Sequence, residues 1–193
     1  MNFLAHSYLS CSNEEILIGN LITDFLSKKE ELEYEGDVLL GIKLHRHIDE
    51  FTDKHPASLE LRQILRKHHG KYASVVVDLV WDRCLSINWN LYSGADLKNF
   101  TTEVYEVLER NLQTLNPQIS KRFKAMIEGD FLMAYSNTER TKKSLLWMDN
   151  RAKYRSNFIH ALIDFEDNRS TIQDLFTEFF PDVIKSTEIF CAC

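Results

Sequence analysis

His45 and Asp49 stand four residues apart in "LHRHIDEFTDKHP", residues 44–56, a stretch holding three histidines and three acidic residues. On a helix advancing about 100° per residue, Asp49 lies roughly 40° from His45 and Asp53 roughly 80°. Leu40, Leu44, Ile48 and Phe51 form a neighbouring apolar arc, so His45 and Asp49 fall at the border of the buried face. An imidazole and a carboxylate at this spacing reach one ion together. His47 lies about 200° away and falls outside the set. Taken alone the pair has two readings, a metal site or a structural ion pair.

Asp78 and Asp82 repeat the spacing in "VVVDLVWDRCL", on a segment apolar nearly all round. Burying two carboxylates on adjacent turns is costly unless a cation neutralises them. That cation is an arginine, Arg83 or Arg46, or a divalent metal. Asp24 shares a stripe with Leu17 and Leu21, where a leucine is expected, and His6 sits in an apolar N-terminal stretch. Four segments thus each offer a His or Asp at a position whose periodicity predicts burial. Helical bundles build oxygen- and nitrogen-ligated sites for Mn²⁺, Mg²⁺ or Fe from such convergence, and the lack of thiolates argues against structural zinc.

The elements that must position these groups read as helices. A capping box, Ser12 with Glu15, opens a first amphipathic run. A second helix covers roughly 37 to 54, and Pro56 starts a third that ends with His68, His69 and Gly70 as plain helix-end residues. "KYASVVVDLVWDRCLSINWNLY" is β-branched but long enough for a buried helix. Another helix ends before Pro117, and the remainder breaks near Gly129, Asn137 and Asn168, with the last helix stopping around "EFFPDV". Six glycines and three prolines in 193 residues suit long helices. The expected architecture is all-α, one helical domain over 1–193.

Composition narrows the function. A net charge of −6 argues against nucleic acid as the main partner. "VVVDLVW" is too short, and interrupted by Asp78, to span a bilayer. "MNFLAHSYLS" lacks the features of a signal peptide. With no C-x-x-C pair among Cys11, Cys84, Cys191 and Cys193, reduced thiols in a cytoplasmic protein are expected, and "CAC" reads as a frayed end. Phosphate loops, nucleophile elbows and dinucleotide fingerprints are missing. Between 121 and 155, Lys121, Arg122, Lys124, Arg140, Lys142, Lys143, Arg151, Lys153 and Arg155 face only four acidic residues. A basic segment on an acidic chain is either a solvated face or a surface for an acidic partner.

The motifs "MNFLAH", "GNLITDF", G-x-x-x-H-R-x-I-D-x-x-T-D (Gly41 to Asp53), D-x-x-W-D (Asp78 to Asp82), W-x-x-Y (Trp89 to Tyr92) and F-x-x-F-F-P (Phe176 to Pro181) occur in order. In combination they resemble the acyl carrier protein phosphodiesterases, a divergent branch of the HD phosphohydrolases. The resemblance implies a helical, metal-dependent enzyme, with Mn²⁺ or Mg²⁺ (Fe²⁺ as a further option), that removes 4′-phosphopantetheine from holo acyl carrier protein. By motif it implies His6, Asp24, His45, Asp49, Asp78 and Asp82 as site residues, with Arg46 beside them. The ion would then sit on Asp24, His45, Asp49 and Asp78, with Asp82 or His6 as a further ligand or general acid or base, and Arg46 and Arg83 on phosphate oxygens. Arg83 stands where relatives carry a histidine. The alternatives are a phosphohydrolase of a small nucleotide or other phosphodiester, and a non-enzymatic helical binding protein. Acyl carrier protein would dock on the basic segment.

Overall fold

The computed structural model describes residues 1–154 and 156–191. Arg155 and Cys193, and with them one member of the basic segment and one of the four cysteines, lie outside the described residues. Twelve α-helices follow one another, with no strand among the described residues: α1 (Phe3–Tyr8), α2 (Glu14–Ile22), α3 (Lys28–Glu31), α4 (Gly36–Lys54), α5 (Pro56–His69), α6 (Ala73–Ile87), α7 (Trp89–Tyr92), α8 (Leu97–Asn111), α9 (Pro117–Glu128), α10 (Thr138–Arg151), α11 (Ala161–Asp167) and α12 (Arg169–Cys191). The all-α expectation holds. No helix is long and apolar enough to cross a membrane.

α2 and α4 form the most intimate pair. The reason is two glycines facing each other: a Cβ on Gly19 would lie 2.0 Å from the Val38 carbonyl oxygen, and one on Gly41 would lie 2.2 Å from that of Ile16. Helix backbones this close admit no side chain between them. α1 and α5 pack against α6, and α12 covers α4 and α5. Trp81 of α6 is fully buried, stacks on Phe179 at 4.9 Å and donates its indole N–H to Ser58 Oγ of α5. This satisfies the one polar atom of a large core side chain.

Several local expectations change. α2 is capped by Asn13, whose side chain accepts the N–H groups of Glu15 and Ile16, whereas Ser12 lies in the preceding turn at φ 53°. α12 does not stop at "EFFPDV" but passes through Pro181 to Cys191. Phe179, Phe180, Val183 and Thr187 are buried on either side of the proline, and that packing outweighs the lost backbone hydrogen bond. Cys11 and Cys191 form a disulfide, with Cα atoms 5.1 Å apart, so the expectation of four reduced thiols is corrected. A pairing across 180 residues leaves no trace in local cysteine spacing, and it ties the end of α12 to the α1–α2 turn. Cys84 is free and buried.

The α2–α4 contact generates a direct test. Gly41→Ala is expected to cost about 3 kcal/mol, because the methyl group meets backbone that cannot rotate away. Gly94→Ala, where an added Cβ meets nothing within 4 Å, serves as the control and should leave denaturant unfolding nearly unchanged.

Candidate metal centre

The centre is assembled at the place where α1, α2, α4 and α6 meet. α1 is short and would not persist alone. Asp82 of α6 anchors it: the fully buried carboxylate accepts the backbone N–H groups of Asn2, Leu4 and Ala5 at 3.1, 2.8 and 3.3 Å. The helix so held directs His6 inward, where its ring stacks on that of His45 at 4.2 Å.

Asn20 of α2 orients both rings. Its backbone carbonyl lies 2.7 Å from His45 Nδ1, and its side-chain Oδ1 lies 2.7 Å from His6 Nδ1. The amide nitrogen of Asn20 donates to the His6 carbonyl and to Ser10 Oγ. Both acceptors require the proton on Nδ1, so both Nε2 atoms present their other valence to the cleft. There Asp49 spans the pair, with Oδ1 3.3 Å from His6 Nε2 and Oδ2 3.1 Å from His45 Nε2. Asp24 Oδ1 lies 3.3 Å from His45 Nε2. Across the cleft Asp78 Oδ1 binds the Met1 amino group at 2.9 Å, and that amine is also 3.8 Å from Asp49. Met1, Asp24, Asp49 and Asp78 border a cleft of about 300 Å³.

The electrostatics follow from burial and from who faces whom. Burial, with the neighbouring His45, lowers His6 to about 4 and keeps it neutral. Burial also opposes a charge on His45, but the carboxylates of Asp24 and Asp49 override it and raise the group to about 9. Against burial's upward push, the two imidazoles hold Asp49 well below the usual carboxylate range and Asp24 somewhat below it. Burial pushes Asp78 upward despite the amine beside it, and pushes Asp82 to about 7.

His6 Nε2 and His45 Nε2 are buried without a hydrogen-bond partner. His6, held neutral with its Nδ1 proton committed, turns an Nε2 lone pair on an Asp49 oxygen, and His45 does the same once it gives up its second proton. A divalent cation held by His6, His45 and Asp49, with Asp24 Oδ1 3.3 Å from His45 Nε2, would resolve the conflict. The residues present therefore fit a metal, with Asn20 as the partner that fixes ring orientation.

Asp24, His45, Asp49 and Asp78 are brought together, and His6 stands among them as a fifth donor. Asp24 corrects one expectation: α2 ends at Ile22, the chain tightens into a 3₁₀ turn, and the side chain emerges half-exposed instead of continuing the buried stripe. Three residues stand elsewhere. Asp82 is spent on the N-terminus of α1 and does not border the cleft. Arg46 pairs with Glu31 on the surface at 2.5 Å. Arg83 donates to the Tyr135 carbonyl and Thr138 Oγ1 and stacks over Phe165 at 5.0 Å. One residue step turns a helix by about 100°, so a neighbour of His45 or Asp82 in sequence faces a different flank. Neither guanidinium lines the cleft. Asn20 was missed; its signal was an amide inside the apolar run "ILIGNLI". His47 is off the centre as expected, though half-buried beside Phe190, and His55 caps α5 by accepting the Ala57 N–H.

The family model for acyl carrier protein phosphodiesterase matches residues 1–183. The chain belongs to this family. Relatives named acyl carrier protein phosphodiesterase occur in Photorhabdus laumondii, 28% identical over 97% of this chain and 96% of the relative, and in Serratia proteamaculans, 26% identical over 97% and 98%. One from Escherichia coli is 28% identical over 96% of each chain. No solved structure matches the chain. For an acyl carrier protein phosphodiesterase family member of this size, the shared length covers every helix that builds the centre.

Two outcomes are expected. Asn20→Ala frees both imidazoles and strands buried polar atoms, lowering stability by about 1–3 kcal/mol and divalent-ion affinity roughly 10–100-fold; calorimetric titration with Mn²⁺ and denaturant melts measure the two effects separately. His45 binds its proton more tightly in the folded protein than its ordinary 6.5, with a value of about 9. Its stabilisation of the metal-free protein is thus complete below 6.5 and lost as pH rises through about 9. Metal-free protein should lose about 2–3 kcal/mol across that window, and His45→Gln should flatten this limb of the stability profile.

Proposed function

We propose that this chain is a divalent-metal phosphodiesterase, with Mn²⁺ the best-suited ion, that hydrolyses the 4′-phosphopantetheine–serine phosphodiester of holo acyl carrier protein. The observation that carries the reading is the pair of buried imidazoles whose unpartnered Nε2 atoms face the carboxylates of Asp24 and Asp49, in a member of this family. A hard, oxygen-rich donor set with two imidazoles suits Mn²⁺ better than a thiolate-seeking ion. A bound ion supplies Lewis-acid polarisation of the phosphodiester and acidifies water.

The chain's own residues do the rest. Asn20 fixes the two imidazoles, and Asp49 holds them in register through its two oxygens. Asp78 is the cleft carboxylate that faces no imidazole, and its side chain is 38% exposed. In this reading Asp78 accepts a proton from attacking water at Oδ2 and returns it to the departing serine oxygen. Water attacks phosphorus, the phosphorus–serine oxygen bond breaks, and apo carrier protein and 4′-phosphopantetheine leave. Asp53, also at the cleft, is paired with Arg62 and stays outside this exchange.

The carrier protein docks on the basic segment. Lys121, Arg122, Lys124, Arg140, Lys142, Lys143, Arg151 and Lys153 are all exposed. Arg122 stacks over Phe25 at 4.9 Å, and Phe25 follows Asp24, so the basic surface begins beside the metal centre. An acidic partner steered there brings its modified serine to the cleft.

Incubating holo acyl carrier protein with this protein and Mn²⁺ should release 4′-phosphopantetheine, read as mass loss to the apo form. His45→Ala should slow this at least about 100-fold. Lys121→Glu with Lys124→Glu should lower kcat/KM on the carrier protein about tenfold, in a salt-dependent manner, while hydrolysis of a small aryl phosphodiester is unchanged. Holo protein that stays intact with Mn²⁺, Mg²⁺ and Fe²⁺ alike overturns the reading.

A further inference from the structure

A second group of histidines surrounds one carboxylate at the far end of α5. His68 and His69 occupy its last turn; His160 closes the 3₁₀ turn Phe158–His160, and Asp164 follows four residues later in α11. Asp164 is 4% exposed and takes all three rings on its two oxygens. His68 Nδ1 lies 2.7 Å from Oδ1, His69 Nε2 lies 2.8 Å from Oδ2, and His160 Nδ1 lies 3.3 Å from Oδ2. The rings of His68 and His160 are 4.0 Å apart between centroids, with both Nδ1 atoms turned toward the same carboxylate.

A structural ion pair needs one imidazole here, at most two. One carboxylate carries a single charge, so three rings gathered on it supply more nitrogen donors than an ion pair uses. His160 Nδ1 is buried with no hydrogen-bond partner. His160 Nδ1 approaches Oδ2 at 3.3 Å without making a hydrogen bond, so this nitrogen is free to serve as a ligand atom beside the carboxylate. The side chains of His68 and His160 are 31% and 26% exposed, so an ion has access from solvent. Donor atoms on a tetrahedral ion with ligand distances near 2.0–2.1 Å sit roughly 3.3 Å apart, which the observed spacings approach without movement of the backbone. One ligand atom from each of His68, His160 and Asp164 already lies within 4.8 Å of the others.

We propose that His68, His160 and Asp164 form a second metal site, selective for Zn²⁺ or a similar imidazole-seeking transition ion, with His69 as the positioning residue that holds the carboxylate. Two imidazoles and one carboxylate favour such an ion over Mg²⁺ or Ca²⁺, which seek oxygen. His69 Nε2 donates to Oδ2, the hydrogen bond by which an outer residue orients a ligating carboxylate. The ion would fasten the 158–164 segment to the end of α5. Asp149 of α10 already ties to that segment, accepting the N–H groups of Phe158 and Ile159 at 2.7 and 3.2 Å. A metal here therefore braces the C-terminal end of the basic helix. It does not depend on the chemistry assigned to the first centre.

The test uses the full chain, stripped of metal and titrated with Zn²⁺ alone. In an His45→Gln background, which disables the first centre, one equivalent should still bind and raise the melting temperature; adding His68→Gln and His160→Gln should abolish both. Equal zinc content and equal thermal response with and without the added substitutions overturns the site. Should the triple variant fail to fold, His68→Gln alone, at a partly exposed position, decides through Co²⁺ absorption. The tetrahedral visible bands of the parent should weaken and the apparent affinity fall about tenfold or more, and spectra that do not change overturn the proposal.

Discussion

Everything at the first centre depends on one contact, the hydrogen bond from His45 Nδ1 to the backbone carbonyl of Asn20. A backbone carbonyl accepts and never donates, so this bond fixes the tautomer of His45 and leaves Nε2 to the cleft. It forms only because α2 and α4 touch backbone to backbone at Gly19 and Gly41. Any Cβ at either position would push the helices apart and carry His45 and Asp49 away from Asp24 and Asn20. The same asparagine reaches His6 with its side chain, so one residue sets two ligands at once. Steric closeness at two glycines is thereby converted into ligand geometry several residues away.

Charge places the second constraint. Asp24, Asp49 and Asp78 converge on one cleft, and like charges this close do not coexist without a counter-charge. In the metal-free protein that role falls to the His45 imidazolium and the Met1 amine. Both are cations a metal would displace or join, so the folded scaffold is organised around positive charge whichever species supplies it. Asp82 belongs to the same helix and the same spacing, yet its neutralisation comes from three backbone N–H groups and its work is to hold α1. Equal spacing of Asp78 and Asp82 thus conceals a division between a group that faces the cleft and a group that builds it.

That division marks how far the sequence is legible. Helical periodicity finds α4 to within a residue, places His45 beside Asp49 and sets His47 aside, because those relations are local. Pro56 and Gly70 mark the ends of α5 for equally local reasons. Arg46 and Arg83 lie off the cleft because adjacency to a site residue in sequence says nothing of facing; the helix turns them away. Asp24 reaches the site from a 3₁₀ turn that an ideal wheel does not contain. Asn20 acts through a main-chain oxygen, which no residue type announces. The Cys11–Cys191 disulfide and the passage of α12 through Pro181 are decided by tertiary packing over distances that local rules do not see.

The two histidine clusters show why surroundings decide what a motif does. His45–Asp49 and His160–Asp164 share the i, i+4 spacing, and in each a second histidine from another element joins the pair. At the first cluster Asp49 is partly open to a cleft and two further carboxylates, Asp24 and Asp78, stand near, so oxygen donors predominate and substrate has room to approach. At the second, Asp164 is enclosed by three imidazoles, nitrogen predominates, and no comparable acidic neighbour faces the ring pair. The first arrangement suits a hard ion with open coordination positions for chemistry, the second an ion held for cohesion. Identical local spacing thus yields donor sets of opposite character, and the difference is set by which helices the glycines and prolines allow to meet.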